Sequence, residues 1–144
     1  MRRPLRLGVV LAATLVASVA GAAERLALVE RATGEKVVPI STAADALGDQ
    51  LVFSNPLYDG DNRAVVGASR GACVRIEIGR WWDCRFTLEL KGGALMVAGA
   101  YPDEGDVEFA IIGGTGHYAA AHGTLAVHAR DAAHSAYDFK VALR

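Results

Sequence analysis

GASRGACVRIEIGRWWDCRFTLEL, residues 67–90, contains both cysteines of this 144-residue chain, Cys73 and Cys84. In its second half, Cys84, Phe86, Leu88 and Leu90 alternate with Asp83, Arg85, Thr87 and Glu89. That is the two-residue period of a strand with one apolar face. If the cysteines lie opposite one another, Gly71 faces Phe86, Ser69 faces Leu88 and Gly67 faces Leu90. Small residues then oppose large ones on the apolar side, as a tapered barrel interior requires. The other face pairs Arg70 with Thr87 and Val74 with Asp83, a mostly solvated surface. One register therefore allows a disulfide and sorts the core, and it leaves a short turn around Ile78 and Gly79.

Outward from this hairpin, short apolar segments separated by Gly, Asp, Asn and Pro predict an all-β domain. Strands are expected at 25–31, 50–58, 64–77, 81–91, 94–101, 107–112, 123–130 and 136–143. Eight antiparallel strands close into a β-barrel wide enough for one small ligand. The segment 32–49, with Pro39 and a possible capped helical turn at 42–47, interrupts the pattern. A lid and an ordinary connection are both open for it, and its length favours the lid.

At the N-terminus, Arg2, Arg3 and Arg6 precede an apolar run from Leu7 to Ala20 and an Ala-Gly-Ala cleavage pattern, the layout of a secretory signal peptide over residues 1–23. The run is too short to span a bilayer, so no membrane anchor is expected. Residues 24–144 then form one domain, in the periplasm or the medium. Loss of the three arginines leaves 12 basic against 16 acidic residues, with no basic patch to suggest nucleic acid. In an oxidising compartment two cysteines read as one disulfide, Cys73–Cys84.

IIGGTGHYAAAHG, residues 111–123, lacks the spacing and the following helix of a phosphate loop. Gly113, Gly114 and Gly116 are read as backbone geometry. His117, His122, His128 and His134 do not have metal-ligand spacing and are read as surface residues. Glu30 shares a face with Leu26 and Leu28, which puts a carboxyl on the apolar side of the first strand. It is a candidate general base or electrostatic guide, unless it reaches water at the strand end. Asn55 and Phe53 point inward with Leu51 and Leu57, and an inward amide needs a partner. Tyr101 shares the face of Leu95 and Val97. Trp81 and Trp82 are read mainly as packing at the barrel end, with Arg75 beside Trp82 in cation–π range.

Three segments, GDQLVFSNPLYDGDNRAVVGASRGACVRIE (48–77), GALMVAGAY (93–101) and FAIIGGTGHYAAAHGTL (109–125), together resemble the allene oxide cyclase family and its dirigent relatives. The resemblance runs from about residue 27 to the C-terminus. It implies an eight-stranded antiparallel barrel, usually a homotrimer, with an apolar cavity and no metal or organic cofactor. The cyclases close a fatty-acid epoxide into a cyclopentenone, and dirigent proteins steer phenolic intermediates. In both, orientation of a flexible molecule does most of the work. Matched by position, Asn55 and the Pro39 carbonyl would hold a water, Glu30 would bias charge along the substrate, and Phe53, Trp82, Tyr101 and Cys73 would shape the cavity. Two positions depart from the plant cyclases: Ala32 replaces an asparagine, and Cys84 allows a bridge that removes the Cys73 thiol. The expected function is a cyclase-like barrel for a small hydrophobic unsaturated ligand. The alternatives are a non-catalytic guide or carrier and a filled structural barrel.

Overall fold

A computed structural model describes residues 23–144, and the signal peptide expected at 1–23 lies almost wholly outside them. Among the described residues there are nine strands: β1 (Arg25–Arg31), β2 (Glu35–Val38), β3 (Gln50–Asp59), β4 (Val65–Glu77), β5 (Trp81–Leu90), β6 (Gly93–Pro102), β7 (Val107–Gly116), β8 (Gly123–Ala129) and β9 (Ala136–Leu143). All neighbours are antiparallel, β3 through β9 pair in sequence order, and β1 pairs with both β9 and β3. This closes an eight-stranded barrel in which β2 is an additional short strand. No helix among the described residues is long and apolar enough to cross a membrane.

The hairpin of β4 and β5 has the register expected from its sequence. Cys73 pairs with Cys84, Gly71 with Phe86, Ser69 with Leu88 and Gly67 with Leu90. At Gly71 an added Cβ would collide with the Phe86 backbone and Cβ and with the Arg85 carbonyl, so the close approach of β5 dictates glycine opposite. A bulge at Ile76 shifts the register before the turn, so Glu77 pairs with Trp81. The interior is filled by alternate residues from every barrel strand, with Leu57, Leu88, Leu95 and Leu125 fully buried.

The segment after β1 differs from the expectation of an irregular connection. β2 lies along the same edge of β3 as β1: Glu30 pairs with Leu57, and Glu35 with Phe53. The two are therefore halves of one long strand, broken at 32–34 and resumed one residue out of step. Residues 41–48 form bends and a turn, with no helix. The reason is Asp49, whose buried carboxylate accepts the N–H groups of Ile40 at 2.9 Å and Ala46 at 3.0 Å. This closes the segment from its far end as a compact loop.

β7 is longer than the expected 107–112. It continues through the glycine-rich run to Gly116, with a bulge at Ile112. Gly116 adopts φ 59° against the Gly92 carbonyl, and the reversal follows at 117–120.

Candidate functional site

The break between β1 and β2 places the most unusual group of the interior. Glu30, the last inward residue before the break, is buried beside Asn55, which is also buried. Where the ladder fails, the Asn55 carboxamide replaces it. Its Oδ1 accepts the Gly34 N–H at 2.8 Å, and its Nδ2 donates to Glu30 Oε1 at 3.2 Å. Glu30 Oε2 has no hydrogen-bond partner, nor does Oγ of buried Ser69, the residue paired with Asn55 on β4. Burial pushes the Glu30 pKa from 4.5 up to about 7, against the opposing pull of the Asn55 amide. A carboxyl so poised takes or gives a proton near neutrality.

Glu30 opens onto a cavity with about 440 Å³ of empty space, counting its open mouth. Its walls are aromatic. Phe86 meets Phe53 and Phe109 edge to face, with centroids 5.7 and 5.2 Å apart, and Tyr101 stacks on Phe109 at 6.3 Å. The Tyr101 and Tyr137 hydroxyls share a hydrogen bond of 3.3 Å, and burial raises both pKa values. Glu35 of β2 also lines the cavity, its pKa raised by partial burial. The Cys73–Cys84 disulfide forms part of the wall, so neither sulfur is a free thiol.

The cavity thus brings together Glu30, Asn55, Phe53, Tyr101 and Cys73. It does not include Pro39 or Trp82. Pro39 is exposed in the loop after β2, because the strand resumed there carries the chain out along β3. Trp82 is buried but engaged elsewhere. Its indole N–H donates to Asp103 Oδ1 at 2.9 Å, and the Arg75 guanidinium lies 3.9 Å above its ring. Arg75 also pairs with Asp45 at 2.8 Å and Asp103 at 2.6 Å, tying the 39–49 loop and the β6–β7 turn to the hairpin.

The sequence reading missed Glu35 and Tyr137. Glu35 lies in the segment read as an interruption. Tyr137 had a signal, since it alternates with Phe139, Val141 and Leu143 along β9. Among the described residues no cluster of His, Cys, Asp and Glu is arranged to hold a metal ion. His117 and His128 are exposed and sit beside Glu24 and Asp106.

The same barrel occurs in several solved structures. A pyocyanin demethylase matches with a TM-score of 0.69 and 23% identity, over 81% of this chain and 98% of the other. A pterocarpan synthase dirigent protein matches with 0.68 and 19%, over 85% of each chain. A Diels–Alderase from Streptomyces koyangensis matches with 0.70 and 20%, over 85% of this chain and 63% of the other. At these identities the likeness is one of fold. The sequence model of dirigent-like proteins matches residues 17–143, nearly the whole chain, which therefore belongs to the dirigent-like protein family.

Proposed function

We propose that this barrel binds a small hydrophobic unsaturated molecule and holds it in the folded shape from which it cyclises, without a cofactor. The observation that carries this reading is the Glu30 carboxyl, half hydrogen-bonded and half unpartnered, on the wall of an otherwise aromatic and aliphatic cavity. The walls would restrict the ligand's conformers, and Glu30 would exchange a proton with it or stabilise positive charge along it. Asn55 then acts as a positioning residue, because its amide already serves Gly34 and Glu30. This differs from the water-holding role implied by the cyclase resemblance. Two of the structural relatives, a pterocarpan synthase dirigent protein and a Diels–Alderase, support a ring-forming or ring-directing task.

The reading includes export, from the arginine-led apolar leader, and a trimer, from the family resemblance. A second reading is a guide that binds without lowering a chemical barrier. It is favoured by the bridged state of Cys73, which leaves the cavity wall without a thiol nucleophile.

The test is a screen of the oxidised protein against a panel of apolar polyenes, epoxides and phenols, followed by chiral product analysis. Stereoselective cyclisation that falls at least tenfold in Glu30→Gln is expected. Full activity in that variant would sink the carboxyl's role. Binding with unchanged product rate and stereochemistry would select the second reading.

A further inference from the structure

Two carboxyl groups line the cavity, Glu30 inside and Glu35 on β2, and no lysine, arginine or histidine lines it. His134 sits edge-on to Tyr137 at 5.9 Å, outside the lining. The remaining walls are largely rings, whose faces carry negative potential. No positively charged side chain in the lining therefore balances the two carboxyl groups.

This bears on which ligand can enter. A neutral apolar molecule filling the cavity would leave the Glu30 carboxylate buried with no opposite charge beside it, which is costly. An anion would meet two carboxyls. A cation supplies that opposite charge to Glu30 and meets aromatic rings at the same time, the combination by which proteins recognise organic ammonium groups.

We infer that the cavity selects a hydrophobic organic cation, an apolar molecule carrying a protonated or quaternary nitrogen, with Glu30 as its counter-ion and Phe53, Phe86 and Tyr101 as its ring contacts. The inference rests on the reading of the cavity as a site for a small apolar molecule and names the charge that molecule carries.

The test uses three probes of similar shape with the oxidised protein at pH 8, where Glu30 is mostly ionised. They are phenyltrimethylammonium, its uncharged isostere tert-butylbenzene, and 3-tert-butylphenol as a neutral hydrogen-bond donor. Affinities are read by ligand-observed NMR. The cation is expected to bind at least about tenfold tighter than either neutral probe. Glu30→Gln should abolish that preference, weakening the cation and tightening tert-butylbenzene binding, since the unpaired carboxylate is gone. Glu35→Gln should weaken the cation less and confirm a folded barrel. Equal or tighter binding of tert-butylbenzene or the phenol would overturn the charge assignment while leaving the apolar site intact. Binding of none of the three would overturn both.

Discussion

Asn55 spans the break between β1 and β2, accepting from Gly34 with one end of its carboxamide and donating to Glu30 with the other. The amide thus joins a backbone repair to the one ionisable group buried against the cavity floor. Asn55→Leu leaves the Gly34 N–H without its acceptor and Glu30 without its donor, and should cost about 2–4 kcal/mol. Asn55→Asp keeps an acceptor for Gly34 but sets a second carboxyl beside Glu30, so the Glu30 pKa should rise further. Urea unfolding reads the first effect, and carboxyl carbon NMR of Glu30 the second.

The Glu30 pKa also fixes a pH dependence of stability. Unfolded, the group loses its proton around 4.5, whereas folded it keeps it until about 7. The native state therefore holds more protons between those values, and stability falls as pH rises through that window. The difference of roughly 2.5 units corresponds to about 3 kcal/mol, present in full below 4.5 and lost above 7. Asp59 and Asp131, held below their ordinary range by hydrogen bonds to Arg63 and Ser135, have the opposite sign and act only under about 3.8. Unfolding free energies measured from pH 4 to 8 should thus decline for the parent protein. In Glu30→Gln they should be flatter by that amount.

The hairpin of β4 and β5 was legible because its pairing partners differ in size. Only glycine fits at position 71, where the strand of Phe86 comes close, and a slip of one position would have turned Leu88 to solvent. Inward placement of Glu30, Phe53, Asn55 and Tyr101 followed from alternation alone. β2 was not legible, since all four of its residues are exposed and it is held by backbone pairing to β3, which leaves no apolar signature. The partners of Asn55 were hidden for the same reason, because they depend on where that strand breaks. Pro39 and Trp82 matched the family's positions, but their side chains answer to the loop and to Arg75, which alignment by position does not register.

Arg75 holds the 39–49 loop against the barrel end. Its guanidinium reaches Asp45 and Asp103 and covers Trp82, while Asp45 Oδ2 accepts the Gly79 N–H at 2.8 Å. Arg75→Met keeps the apolar stem but leaves both carboxylates and the ring face without a partner. Amide exchange at Gly79 and across 40–48 should accelerate by at least about tenfold, while amides of β8 and β9 stay protected. Arg75→Lys should give an intermediate result, since a point charge cannot bond both carboxylates and stack at once. Uniform acceleration across all strands would show that Arg75 supports the whole barrel and not the loop.

The disulfide makes two separable contributions, and cysteine substitution divides them. It links neighbouring strands 11 positions apart, so the chain-entropy account assigns it about 3 kcal/mol. The closing pairs of the barrel, β1 with β3 and β1 with β9, lie elsewhere and do not depend on it. Cys73→Ala/Cys84→Ala should therefore fold, with a lower melting temperature and the same far-ultraviolet circular dichroism. Because both sulfurs lie in the cavity wall, the double variant should also gain room there. Ligands with one added methyl group should then gain affinity relative to their parents, an effect the oxidised parent protein should not show. Reduction of the parent tests the same division, since it breaks the link but leaves both sulfur atoms in the wall. It should lower stability by a similar amount and leave the size preference nearly unchanged. If reduction alone shifts the preference, the bridge governs the cavity by holding β4 and β5 in place, and the bulk of its sulfurs is incidental.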